Sequence, residues 1–396
     1  MNLDKKMIKN NIPRIRFNNF EAFWVENRIA DIVKISAGGD VDKVKLKESG
    51  KYPVIANALT NKGIVGFYED YKVKAPAVTV TGRGDVGYAV ARHENFTPIV
   101  RLLTLQSEKI DVDYFENQIN SMRILNESTG VPQLTAPQLG NYKVYHPKIE
   151  EQSAIGILFR TLDDLLASYK DNLTNYQALK ATMLSKMFPK AGQTVPEIRL
   201  DGFDGEWEVQ SLKELASFSK GNGYTKSDLV NSGNEIILYG QLYTNYQTVI
   251  SMVNTFVLET REKSVISKGG EVVVPASGES AEDISRASVI EKSGVIIGGD
   301  LNIIYPDENK VDSIFLALTI SNGSQQKELI KRAQGKSVVH LRNNDLEKVV
   351  LHYPSMEEQQ AIGACFLNLD NLINSHQEKI SQLEILKKKL LQDMFI

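Results

Sequence analysis

The residues that could do chemistry are few, and their spacing defeats most of the chemistry they suggest. Gly335-Lys336-Ser337 imitates the end of a phosphate-cradling loop. That loop needs a glycine five residues before Gly335, where this chain has Ile330. The triplet is therefore expected to be a turn before a strand over 338–341. The five histidines, His93, His146, His340, His352 and His376, are scattered without metal-ligand spacing. Cys365 is the single cysteine, which excludes an intrachain disulfide and a cysteine zinc site, and its apolar helical surroundings predict a packed thiol. Two acidic pairs, Glu150-Glu151 and Glu357-Glu358, each followed by glutamine, look like paired carboxylates. Both stand just after a proline, at the first turn of a long helical pattern. There the helix dipole favours acids, so helix capping is the expectation. No Asn/Asp-Pro-Pro-aromatic tetrapeptide of an amino-methyltransferase is present. The chain reads as non-catalytic, with no metal site.

What remains is chemistry of contact. Tyr239, Gln241, Tyr243, Asn245, Tyr246 and Gln247 crowd one short segment. Asn and Gln suit the adenine edge, and Tyr reaches phosphates. Earlier in the chain stand Lys62, Lys72, and a glycine loop carrying Thr81, Arg83 and Asp85. An arginine on such a loop can reach guanine in the major groove. Ser277 opens a comparable loop, Ser277-Gly278-Glu279-Ser280. These residues are the candidate contacts to double-stranded DNA. The formal charge of −3 over 396 residues supplies no bulk attraction, so any such binding is local. The start of the chain lacks a signal-peptide apolar stretch and no run of about 18 apolar residues occurs, so a cytoplasmic protein without membrane contact is expected.

The elements that must position these residues come as a duplication. The 43 residues from His146 align without a gap on those from Tyr353, an offset of 207, with 17 identities. A second match has an offset of 183: Pro13, Ile15, Arg16, Phe20 and Trp24 meet Pro196, Ile198, Arg199, Phe203 and Trp207. The differing offsets leave the second copy about 24 residues longer inside. Between the matching ends the two copies look unlike. Both carry a β-branched run followed by a glycine loop, 77–81 in one and 271–275 in the other. Other strands are expected over 99–105, 235–239 and 294–297, and helices over 114–125 and 313–333. Trp24 and Trp207 are expected to be core anchors.

Each copy ends in a long amphipathic helix. In the first, Ile155, Leu158, Leu162, Leu165, Tyr169, Tyr176, Leu179 and Met183 recur at three-and-four spacing, with Asn172 interrupting. In the second, Ile362, Cys365, Leu369, Leu372, Leu383, Leu386 and Leu390 do so, with His376 and Lys379 interrupting. That is a coiled-coil seam. Its residues Ile155, Leu162, Leu165, Leu179, Ile362, Leu369, Leu372 and Leu386 are the candidate helix-pair or subunit interface. The tether favours pairing within the chain over homodimerisation. The expected fold is α+β: two globular domains of mixed α/β structure with twisted sheets, separated by two long antiparallel helices, with a pseudo-twofold repeat. Domain boundaries are set at 1–149, 150–188, 189–356 and 357–396.

The repeated Pro-x-Ile-Arg…Trp frame, the Pro-x-x-Glu-Glu-Gln-x-Ala-Ile-Gly helix start and the Met-Phe helix end resemble the specificity subunit of type I restriction-modification systems. Residues 238–246, with Ser277-Gly278-Glu279 and Glu282-Asp283-Ile284, resemble one class of target recognition domain. The resemblance implies that each globule reads one half of a bipartite asymmetric DNA target. It also implies that the helix pair sets the spacer and docks two methyltransferase subunits. S-adenosylmethionine would sit on those subunits, and ATP and Mg on restriction subunits. Two rivals stay open: the specificity partner of a system with fused methylation and cleavage subunits, and a coiled-coil scaffold without DNA contact.

Overall fold

A computed structural model describes residues 11–124, 132–335 and 338–396. Four helices carry the argument: α1 (Val112–Ser121), α2 (Ile149–Lys186), α3 (Ser313–Ile320) and α4 (Met356–Asp393). The chain divides into two compact units. Unit one holds the described residues up to 171 and those from 376 to 396, and unit two holds the described residues of 172–375.

In unit one a four-stranded antiparallel sheet has the order Lys34–Ala37, Leu103–Gln106, Ala77–Val80, Ala89–Arg92. The run Ala77–Val80 is buried on both faces, which explains its unbroken β-branched character. A three-stranded sheet, Ile64–Tyr68, Tyr52–Ile55, Thr97–Pro98, is formed by strands interleaved with these in the chain. A separate ribbon pairs Val25–Arg28 with Lys143–His146.

Unit two repeats the plan under unrelated residues. Its main sheet runs Ala216–Lys220, Leu301–Pro306, Glu271–Pro275, Ser288–Ile290, with Val249–Ile250 added at the edge. First, last and two middle strands stand in the same order as in unit one. The ribbon Glu208–Ser211 with Val350–Tyr353 matches the ribbon of unit one. A second five-stranded sheet is built from strands of two to four residues between Leu229 and Ile297. The strand expected over 99–105 is shifted to Leu103–Gln106 because Val100 and Arg101 turn into left-handed backbone. The expected helix over 313–333 is two, α3 and Gly323–Arg332. Gly323 has φ 68°, a conformation that interrupts a right-handed helix. Lys336 and Ser337 of the phosphate-loop mimic, and residue 125 at the end of the first expected helix, lie outside the described residues.

Each core closes on four aromatic rings from four distant segments. In unit one, Trp24 stands edge-on to Tyr114 at 6.1 Å, and Phe395 touches Tyr114 and Phe159 at 5.5 and 5.7 Å. In unit two Trp207, Phe315, Phe188 and Phe366 occupy the corresponding places, 5.7–6.3 Å apart. Both tryptophans are buried anchors. The Met-Phe that ends each long helix therefore completes a core: Met394-Phe395 that of unit one, Met187-Phe188 that of unit two. A main-chain bond fixes each arrival, Ile15 N to Asp393 O at 2.9 Å and Ile198 N to Lys186 O at 3.0 Å.

The glycine of each helix start admits the preceding helix. A Cβ on Gly156 would meet Asp111 Oδ1 at 2.4 Å and Tyr114 N at 2.9 Å, where Asp111 caps α1. On Gly363 the nearest atom would be Ile314 Cγ2 at 3.3 Å. Gly156→Ala is therefore expected to destabilise by about 1–3 kcal/mol, because α1 must move. Gly363→Ala should cost less than that, since helix propensity offsets part of its strain, by about 1 kcal/mol. Urea unfolding of the two variants checks the order; equal losses would refute it.

Candidate nucleic-acid interface and helix seam

The repeated Glu-Glu-Gln is a buried junction, which corrects the capping expectation for the second glutamate of each pair. Arg16 donates from Nε and Nη2 to the two carboxylate oxygens of Glu151, both at 2.7 Å, and from Nη2 to Ala22 O at 2.6 Å. Arg199 grips Glu358 in the same way at 2.8 and 2.6 Å. Gln152 Oε1 accepts from Asp111 N at 3.0 Å, and its Nε2 donates to Pro147 O at 2.9 Å. Gln359 does the same with Asp312 N and Pro354 O. The motif thus clamps three segments at each helix start, and only Glu150 and Glu357 stay exposed for the helix dipole. These carboxylates are spent on structure rather than catalysis.

The seam differs in phase from the three-then-four expectation. Along α2 and just past its end the regularly spaced sheltered positions are Ile155, Phe159, Leu162, Leu166, Tyr169, Leu173, Tyr176, Lys180, Met183 and Met187, with Leu158 and Leu184 half-buried beside them. Along α4 they are Ile362, Phe366, Leu369, Ile373, His376, Ile380, Leu383, Lys387, Leu390 and Met394. The steps alternate four and three, and every position has its duplicate at an offset of 207. Leu173 and Ile380 fill the seam where Asn172 and Lys379 were expected to interrupt it. Leu165, Leu179, Leu372 and Leu386 stand outside it, 40–47% exposed.

The helices run antiparallel within each unit. In unit one the start of α2 packs on the end of α4, with ion pairs Asp163–Lys387 at 2.5 Å and Lys170–Glu384 at 2.7 Å. In unit two the end of α2 packs on the start of α4, with Lys180 on Asp370. Lys180 and Lys387 are duplicates, and so are Asp370 and Asp163. Tyr169 meets its own duplicate, His376, with rings 5.2 Å apart.

The candidate DNA contacts divide into spent and presented groups. In unit two Gln241 is internal: Oε1 accepts from Leu238 N at 2.9 Å and Nε2 donates to Thr255 Oγ1 at 2.7 Å. Ser277 is buried, its backbone paired with His340. Tyr246 lies under the Arg286 guanidinium, 5.5 Å from the ring centre, and burial raises its phenol pKa. Both line a hollow of about 280 Å³ together with Lys180, Asn322 and Gln326. Asn245 and Gln247 are exposed, and Tyr239 and Tyr243 are half-buried with rings 6.3 Å apart.

In unit one Lys62, Lys72 and Arg83 are exposed, whereas Thr81 is buried and donates from Oγ1 to Asp85 O. Arg92, which sequence reasoning passed over, holds the Lys62 loop: Nη2 donates to Lys62 O at 2.6 Å and Nε to Thr79 Oγ1 at 2.9 Å. Burial lowers its pKa to about 10, which leaves it cationic at neutral pH. Nearby Glu116 is pushed up to about 7, chiefly by burial, with the charges of Asp163 and Asp113 adding to the rise.

The histidines serve locally. His93 Nε2 lies 2.8 Å from Asp113 Oδ1, and His146 Nε2 lies 3.0 Å from Asn27 Nδ2. Among the described residues no cluster of His, Cys, Asp and Glu could hold a metal, and no helix is long and apolar enough to cross a membrane.

Comparison with known proteins agrees with this two-unit plan. The family described as "Type I restriction modification DNA specificity domain" matches residues 22–180 and 204–385, one match to each copy. The type I restriction enzyme MjaVIII specificity subunit of Methanocaldococcus jannaschii is 22% identical over 93% of this chain and 91% of its own length. A putative type I specificity subunit of Mycoplasma pneumoniae, S.MpnORF285P, is 29% identical over 39% of this chain and half of its own. In fold, the chain is similar to the crystal structure of the type I S subunit from M. genitalium, with TM-score 0.65 and 15% identity over 97% of this chain and 99% of that one. With both copies matched, the chain belongs to the specificity subunits of type I restriction-modification systems, a non-catalytic family built on target recognition domains.

Proposed function

We propose that the two units read the two halves of a bipartite asymmetric DNA target within a type I restriction-modification complex. The carrying observation is the contrast between frame and filling. The junction, seam and aromatic cluster are duplicated position for position, while the loops on the shared sheet plan have diverged. A scaffold has no use for that divergence; a reader of two unlike half-sites requires it. Recognition domains are assigned to 1–149 and 189–356, and the conserved helices to 150–188 and 357–396. Lys62, Lys72 and Arg83 are the contacts of the first domain, with Thr81 shaping its loop. Tyr239, Tyr243, Asn245 and Gln247 are those of the second, shaped by Gln241, Tyr246 and Ser277. The helix pair sets the spacer, and its outward Leu165, Leu179, Leu372 and Leu386 form docking positions for two methyltransferase subunits. Those subunits carry S-adenosylmethionine, and restriction subunits carry ATP and Mg. The complex works in the cytoplasm.

Exchange of residues 35–130 for those of another specificity subunit tests this reading. Sequencing of methylated genomic DNA is expected to show one half-site replaced and the other retained. A change in both halves, or no salt-sensitive DNA shift by the complex with methyltransferase, would overturn it.

A further inference from the structure

In unit one three loops meet at one side chain, Asn57. Its Oδ1 accepts from Gly82 N at 2.7 Å, and its Nδ2 donates to Val100 O. The loop so gripped is strained: Val100 and Arg101 are consecutive left-handed residues, at φ 52° and 61°. That region is costly for any side chain and most of all for a β-branched one. Glycine or asparagine would adopt it at less cost, yet the fold retains Val100-Arg101.

The surroundings enforce the conformation. Val100 N donates to Gly39 O at 2.8 Å, Arg101 N to Gly38 O at 3.2 Å, and Gly38 N to Leu102 O at 2.8 Å. Gly38 has no room for a side chain, since a Cβ there would stand 2.7 Å from Ile99 N. The Arg101 carbonyl in turn abuts the neighbouring loop, lying 2.9 Å from where a Cβ on Gly82 would be. Gly82 is anchored a second time, its oxygen accepting from Leu134 N at 2.9 Å. Arg83 and Arg101 therefore leave adjoining, cross-braced backbone. Both are exposed, and neither has an ion-pair partner among the described residues. Strain held this firmly around an exposed cation marks a residue kept for a ligand.

We infer that Arg101 is a base-reading residue of the first recognition domain, beside Arg83, and that Asn57 is the positioning residue for both. The ligand is the guanine edge in the major groove of double-stranded DNA, whose O6 and N7 accept a guanidinium fork. The inference rests on the target-recognition reading above.

The test uses the complex assembled with its methyltransferase. Binding competition and methylation are read against duplexes varied at every position of both half-sites. Arg101→Ala and Arg101→Lys are both expected to lower discrimination at one base pair of a single half-site, by roughly tenfold to a hundredfold. Asn57→Ala should blur that same position and the one read by Arg83. Undiminished discrimination at the other half-site shows that each variant is folded and assembled. A phosphate contact would instead weaken all sequences evenly, reduce the salt slope by about one and be rescued by lysine. That result, or unchanged discrimination in Arg101→Ala, overturns the inference and leaves target recognition standing. A wild-type complex without any sequence preference would overturn both.

Discussion

Arg199→Ala is expected to destabilise unit two by about 3–5 kcal/mol, the cost of leaving a buried carboxylate without its partner. Glu358 is 1% exposed and Arg199 15%, so water cannot replace the lost guanidinium. Arg16→Ala should cost unit one less. Glu151 also accepts from Trp24 Nε1 at 3.3 Å, whereas Trp207 Nε1 has no hydrogen-bond partner among the described residues. Chemical denaturation followed by tryptophan emission reports on both, since each unit holds one tryptophan at its junction. The double variant Arg199→Met with Glu358→Met should recover much of the loss, because no charge is then stranded. Equal losses in the two single variants would refute the assigned role of Trp24.

A seven-residue insertion in both long helices, between Asp171 and Asn172 and between Glu378 and Lys379, should lengthen the unspecified spacer of the target. Seven residues restore the four-three phase of the seam and add about 10 Å of helix. At 3.4 Å per base pair, that is about three base pairs. Both half-sites should stay as they were. The sequencing of methylated motifs reads the spacer directly; an unaltered length would remove the helix pair from that role. A five-residue insertion breaks the phase, rotating Leu173 and Lys180 out of the seam, and is expected to yield little assembled complex.

Much of this was legible in the residues. The duplicated ends marked the frame, and the two β-branched runs marked equivalent central strands. The phase of the seam was hidden for a specific reason. Leu165 and Leu166 are both apolar, as are Leu158 and Phe159, so steps of three and of four fit the pattern equally well. Only packing chooses between them. The role of Glu151 was hidden because its partner lies 135 residues earlier in the chain, while its immediate neighbours are those of an ordinary first turn. The shared strand order of the two units left no trace in identity. A sheet buried on both faces needs only β-branched bulk, and many sequences supply that. Arg101 escaped notice because left-handed backbone at a valine and an arginine has no local signature.

The crossing of helix ends has a consequence for how the protein is made. Every residue of the unit-two core lies between 172 and 375, whereas that of unit one needs Leu390, Leu391, Met394 and Phe395. During synthesis the half that emerges first is therefore the half that finishes last. Until those residues leave the ribosome, Trp24, Tyr114 and Phe159 lack the ring that covers them, and apolar surface left open during synthesis invites aggregation. A chain cut short after residue 375, within the second helix, would have one finished reader and one still waiting for its lid.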